Sequence, residues 1–176
     1  MATDSSDVTL AAATPADGPL LANLLELYIH DLSDAFELET GADGRFGYDR
    51  LPLYWTEAAR RFPFLIRRDA RAVGFALAMR GSPASDDPND LDVQEFFVLR
   101  RHRRHGTGTQ AARLLWNRLP GRWIVRVSQG NVAGLRFWSN VVAEYAGGTQ
   151  SEYTRPGRPH PWHVFAFHSL ACRPAR

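Results

Sequence analysis

The sequence predicts a single α/β domain (α+β in connectivity) built on a central mixed, mostly antiparallel sheet flanked by helices. Three observations carry this expectation. The chain has 176 residues, enough for one domain with one substantial core. Its composition, 44% apolar and 23% charged, is that of a folded globular protein. Strand-like and helix-like periodicities follow each other in the order β, α, α, β, β, β, α, β, α, β, β, which implies antiparallel pairing with parallel strands near the middle of the sheet.

The elements follow in order. Val8–Ala13 is a short apolar run and a first strand. Thr14-Pro15-Ala16-Asp17 starts a helix, with Thr14 as N-cap, proline at the first position and Asp17 closing a box-like pair. Leu20, Leu21, Leu24, Leu25 and Tyr28 share one helical face, and the helix is expected to end near His30. A second, acidic helical segment covers 32–38, and 41–47 is a glycine- and aspartate-rich loop. Strands at 64–67 and 72–79 form a hairpin around Arg68–Arg71, and 81–90 is an exposed loop. The fourth strand, 91–99, places Leu91, Val93, Glu95, Phe97 and Leu99 on one face by strict alternation. A helix over 106–119 is stopped by Pro120-Gly121. A strand at 123–127, a helix at 131–144 and a Gly147-Gly148 break follow. Closing strands at 150–154 and 163–170 flank a proline-rich turn at 155–161.

Several function classes lose support at once. All 21 basic residues are arginine and the net charge is only +2, so overall charge makes no case for nucleic-acid binding. The single cysteine, Cys172, permits no internal disulfide, and a packed or exposed thiol is its plainer reading than a nucleophile. Met1–Asp7 lacks the basic start and apolar core of a signal peptide, and no apolar run is long enough to span a membrane. These features predict a cytoplasmic protein that is no membrane component. His160 and His163 flank Pro161-Trp162 without clustered carboxylates or thiols, so no metal site is expected. Trp116, Trp123 and Phe137 are most simply core residues.

The informative stretch joins the fourth strand to the next helix: Val98-Leu99-Arg100-Arg101-His102-Arg103-Arg104-His105-Gly106-Thr107-Gly108. A helix start presents unpaired N–H groups and a dipole that favours anions. Glycines let the backbone approach a phosphate closely, and the arginines add charged donors. No lysine follows the glycines as in a P-loop, and the dinucleotide fingerprint is incomplete, so pyrophosphate binding of another kind is implied.

This stretch resembles the Gln/Arg-x-x-Gly-x-Gly/Ala signature of the GNAT superfamily of acetyltransferases, with Arg103, Gly106 and Gly108 matching it. Asn131-Val132-Ala133-Gly134-Leu135-Arg136-Phe137-Trp138 is similar to the family's Asn-x-x-Ala-x-x-Phe-Tyr segment, with Gly134 and Trp138 substituted. The resemblance covers nearly the whole chain, 1–176, in element order and is sharp over about 95–138. It implies a sheet splayed between its fourth and fifth strands, with acetyl-CoA in the splay. The pyrophosphate would lie on the amides of Arg104, His105, Gly106, Thr107, Gly108 and Thr109, beside Arg103. The pantetheine arm would follow the strand edge near Phe97, Val98 and Leu99, with Asn131, Phe137 and Trp138 on the other side. It also implies direct attack of an amine on the thioester, and dimers are common among similar proteins.

An ammonium must lose a proton before it attacks, and Glu95 is the candidate base. Its plainer role is to bind the substrate ammonium or pair with an arginine. Where relatives often place a proton-donating tyrosine, this chain has Trp138, whose indole is a poor acid. Tyr145, two turns on, is the substitute candidate, and a core tyrosine is the alternative reading. The acceptor side of this fold implicates Tyr28, Asp31, Asp34, Phe36 and Glu37, with Glu39, Asp43, Asp49, Phe46, Tyr48, Tyr54 and Trp55 around them. Acidic and aromatic groups together suit a small cationic amine, an aminoglycoside or aminosugar first, and a polyamine, amino acid or protein amine otherwise. A solvated acidic face is the plainer reading. A non-catalytic coenzyme A-binding domain and, from the arginine run alone, a nucleic-acid module are the competing classes.

Overall fold

The computed structural model describes residues 8–169. Its seven strands are β1 (Val8–Ala12), β2 (Arg61–Arg68), β3 (Arg71–Arg80), β4 (Leu91–Val98), β5 (Arg122–Ser128), β6 (Ser151–Arg155) and β7 (Trp162–His168). They form one sheet in the order β1-β2-β3-β4-β5-β7-β6, antiparallel throughout except for the parallel pair β4–β5. Helices α1 (Gly18–Phe36) and α2 (Leu53–Thr56) come before β2, α3 (Thr107–Arg118) links β4 to β5, and α4 (Val132–Ala146) follows β5. The expected strand end at Leu170, Cys172 and the Met1–Asp7 segment lie outside the described residues.

The helix-start reading at Thr14 is met: the Asp17 carboxylate accepts from the Thr14 backbone N–H at 2.8 Å and from its hydroxyl at 2.9 Å. The expected break at His30 does not occur. No glycine or proline interrupts 20–36, so α1 continues as one helix until Glu37, whose positive φ of 53° ends it. The helical turn α2 has no counterpart in the sequence reading, and β2 begins at Arg61, three residues before the expected start. The β2–β3 hairpin turns through Asp69 and Ala70, both at positive φ, as a two-residue primed turn requires.

The strict alternation expected for β4 is also corrected. Leu77 pairs with Glu95 but Ala78 pairs with Val93, so Gln94 is an extra residue, a β-bulge. Past a bulge the side chains change faces. Leu91 and Val93 therefore join the core under α3 and α4 together with Phe96. Phe97 and Leu99 join the core under α1 and α2, and Glu95 meets residues of that side. The first core is built on Leu115, Trp116, Trp123, Val142 and Phe165, and the second on Leu21, Leu25, Tyr54, Phe75 and Leu77. Helices thus cover both faces of the sheet.

Candidate active site

The parallel pairing of β4 and β5 covers only Leu91–Val93 against Trp123–Val125. Beyond these three pairs the strands diverge, because β4 bulges at Gln94 while β5 continues straight along β7. A cavity of about 950 Å3 occupies the divergence. On the side of α1, its floor carries Glu95 from β4, Arg126 and Ser128 from β5, and Trp162 from β7. Its roof is Tyr28, Asp31 and Phe36 of α1 with Phe46 and Tyr48 of the following loop.

Glu95 is held from two directions. The Tyr28 hydroxyl donates to its Oε2 at 2.7 Å and the Tyr48 hydroxyl to its Oε1 at 3.0 Å. Burial pushes the Glu95 carboxyl above its ordinary range; the two hydrogen bonds and the charge of Arg126 offset only part of this. Burial, then the Glu95 charge, raises both phenols, so neither Tyr28 nor Tyr48 is tuned to give up a proton. Tyr48 is placed there by α1: the Glu26 carboxylate accepts the N–H groups of Phe46 and Gly47 at 2.8 and 2.9 Å.

At the other end, β4 runs into a turn in which Arg104 and Gly106 both have positive φ, 65° and 76°. Gly106 caps α3, leaving the first N–H groups of that helix without intrahelical partners. At Gly108 a Cβ would lie only 3.1 Å from the Phe137 ring, so α3 and α4 come close here. Asn131 caps α4, its side-chain oxygen accepting from the Gly134 N–H at 2.9 Å. A Cβ at 134 would sit 2.3 Å from the Asn131 amide nitrogen, so glycine in place of the family's alanine fits this cap. Phe96, Phe137 and Trp138 pack together along this wall, with ring centroids 4.9 to 6.0 Å apart.

Of the residues expected to hold a cofactor, Phe97, Val98, Arg103, Arg104, Gly106, Gly108, Thr109, Asn131, Phe137 and Trp138 line the cavity, whereas Leu99, His105 and Thr107 do not. Arg103 turns back from the loop: its Nε donates to the Val98 carbonyl at 2.6 Å and its Nη2 reaches Asp31. Arg100 donates to Asp31 as well, at 2.7 Å. Partial burial pushes the Asp31 carboxyl up, but the bonds from Arg103 and Arg100 outweigh this and hold it below its ordinary value. Asp31 is therefore neutralised by the loop arginines rather than open to an ammonium. Asp34 and Glu37 lie outside the cavity lining, as do Tyr54 and Trp55; Tyr28, Phe36 and Glu95 line it with Phe46 and Tyr48. Tyr145 is buried and donates to the Asn117 side chain at 2.6 Å, between Trp116 and Phe167 and outside the cavity lining, which is the core reading.

Sequence reasoning did not single out Arg126, Ser128 or Trp162. The available signal was an arginine inside an otherwise apolar strand. A second buried acid, Asp92, takes Arg126 in a two-point pair, with Nε and Nη2 each 2.9 Å from its oxygens. Among the described residues no group of three or more metal-ligating side chains converges, and no helix is long and apolar enough to cross a membrane.

Known proteins share this fold. Solved structures with the same fold include an acetyltransferase from Thermus thermophilus, at 19% identity over 92% of this chain and 96% of that one, with a TM-score of 0.61. They also include the aminoglycoside acetyltransferase AAC(6')-Ib in complex with coenzyme A and kanamycin, at 14% identity over 92% and 95% of the two chains, with a TM-score of 0.64. A spermidine N-acetyltransferase from Vibrio cholerae in complex with CoA and spermine matches at 12% identity over 93% and 96%, with a TM-score of 0.64. Among curated proteins none matches the sequence significantly. The profile of the Acetyltransferase (GNAT) family matches residues 23–140, well over half of the chain. With the glycine turn, the splay and the mixed sheet all falling within or beside that match, the chain belongs to the GNAT family of acetyltransferases.

Proposed function

We propose that this protein is an N-acetyltransferase that moves the acetyl group of acetyl-CoA directly onto the amine of a small cationic acceptor. The observation that carries this reading is the position of Glu95: a desolvated carboxylate, gripped by two tyrosines, in the same cavity as the glycine turn. The chain's residues fit the cofactor. The amides of 104–109 open at a helix start, Gly106 supplies the left-handed turn, and the edge of β4 past Val93 is released from β5. Acetyl-CoA, when bound, supplies a thioester carbonyl open to attack by a neutral amine.

The protein's part is to bind, orient and deprotonate. Glu95 first attracts the ammonium and then takes its proton; the raised carboxyl brings its basicity closer to that of the amine. Tyr28 and Tyr48 fix both carboxylate oxygens so that the lone pairs facing the cavity have one direction. With Tyr145 in the core and both phenols raised, none of these three hydroxyls is placed and tuned to give a proton to a departing thiolate. An aminosugar acceptor draws support from the flat walls Tyr28, Phe36, Tyr48 and Trp162, and from the amine-acetylating proteins that share the fold. It draws none from Asp31, Asp34 and Glu37, which are paired or outside the cavity.

Release of free coenzyme A thiol across a panel of amines tests the reading. Glu95→Gln should lower kcat about 100-fold, the usual worth of a positioned base, and leave acetyl-CoA affinity intact. Gly106→Val should do the reverse of that separation, weakening acetyl-CoA binding because a branched residue cannot hold the left-handed turn. Full turnover in the Glu95 variant removes that residue from the mechanism, and unchanged cofactor affinity in the Gly106 variant removes the turn from the binding site.

A further inference from the structure

The floor of the cavity carries a cation as well as a carboxylate. Glu95 and Arg126 stand on neighbouring strands just past the last β4–β5 pair, Val93 with Val125. The Gln94 bulge turns Glu95 to the α1 face, and Arg126, on the same face as Ile124, points there too. Adjacent strands lie about 5 Å apart where they pair, so the two groups are near neighbours across the start of the splay.

Arg126 is fixed with unusual care for a residue that only balances a charge. Asp92, fully buried, takes its Nε and Nη2, and Asp92 itself is held by Ser82 and by Gln94. Trp162 lies beneath the guanidinium, 5.6 Å from ring centroid to Cζ. This arrangement orients the planar fork and leaves Nη1 without a hydrogen bond to any described residue. The Asp92–Arg126 pair is neutral in sum, so it neither repels nor attracts a charge from a distance; what it offers is two directed N–H donors in a half-enclosed cavity, where donors left unmet are costly.

We infer that the acceptor carries an anionic group beside its amine, and that Arg126 Nη1 binds that group while Glu95 receives the ammonium. The chemical class is an α-amino acid or a close analogue, in which one carbon separates ammonium from carboxylate, with an apolar side chain against Phe36 and Trp162. This inference rests on the N-acetyltransferase reading and replaces its cationic acceptor with a zwitterionic one. Polycationic acceptors suit the floor less well, because Arg126 stands there beside Glu95 and the nearby Asp31 and Asp92 are already held by arginine; Glu39 is the remaining acid of the cavity lining.

The test compares free acids with their amides. Wild-type protein and acetyl-CoA are assayed with phenylalanine, leucine and methionine, with the three corresponding amino-acid amides, and with kanamycin and spermine. The expected result is a kcat/KM at least about tenfold higher for a free acid than for its amide. Arg126→Lys, which keeps a cation on Asp92, should erase that preference by raising the KM for the acid and leave the KM for acetyl-CoA unchanged. Equal or better use of the amides, or preference for kanamycin or spermine, overturns the inference and leaves the acetyltransferase reading intact. If no acceptor turns over, calorimetric titration of the same acids into the coenzyme A complex separates the two: binding of acid but not amide keeps the site and rejects acetyl transfer, and no binding rejects the site.

Discussion

Glu95 is the residue on which the chemistry turns, and its environment fixes how activity should depend on pH. Burial favours its protonated form, and the bonds from Tyr28 and Tyr48 favour its charged form. Burial wins, so the acid limb of kcat/KM should lie above the usual carboxylate range. Tyr48→Phe removes one donor to the carboxylate, lifts the carboxyl further and moves that limb to higher pH; at pH values above the limb its rate should approach wild type. A pH–rate profile of both proteins checks this, and a limb that moves to lower pH reverses the assigned role of Tyr48. Much of this residue-scale picture was legible in the sequence. A carboxylate three positions before Val98, a glycine turn beyond it and aromatics in the first helix are all one-dimensional facts. The pairing of Asp31 with Arg100 and Arg103 was not legible, because it joins residues 69 and 72 positions apart. Acidic residues that look available in a list can be used up by the fold.

At the scale of elements, the alternation of periods and the glycine and proline punctuation were enough to order the strands and the main helices. What they could not reveal was local backbone geometry that costs no change of composition. The Gln94 bulge has no hydrophobic signature, and the join of two expected helices into α1 depends on continuous helix-compatible residues plus the anchorage of Asp31. The close approach of β3 to β4 was equally silent. At Gly74 a Cβ would lie 2.0 Å from the Phe97 carbonyl oxygen, a backbone atom that cannot step aside cheaply. Gly74→Ala should therefore destabilise the protein by about 3 kcal/mol, the upper part of the range for overpacking a core. Thermal or denaturant unfolding measures it; a loss below about 1 kcal/mol, the lower end of that range, would mean that β3 and β4 can separate locally.

At the scale of the molecule, the sheet is two blocks, β1-β2-β3-β4 and β5-β7-β6, joined by three residue pairs, and α1 touches both, with Tyr28 on Glu95 and Phe36 against Trp162. The loop arginines grip Asp31 of that helix, so the two ends of the cavity are mechanically tied. Adding coenzyme A should slow amide hydrogen exchange in residues 103–109 and also in the last two turns of α1. Asp31→Ala should keep the first protection and lose the second; if both survive, the tie is not the route. The bulge also sets a limit on how this chain tolerates change. An in-frame loss of the Gln94 codon would remove one polar residue and leave composition, charge and hydrophobicity almost as they were. It would leave Glu95 opposite Leu77 and on the α1 face, because Val93, Glu95 and Phe96 would then alternate regularly; what it would remove is the bend at which β4 leaves β5. A single-codon deletion at the bulge would thus spare the reactive face of β4 and cost the opening beside it.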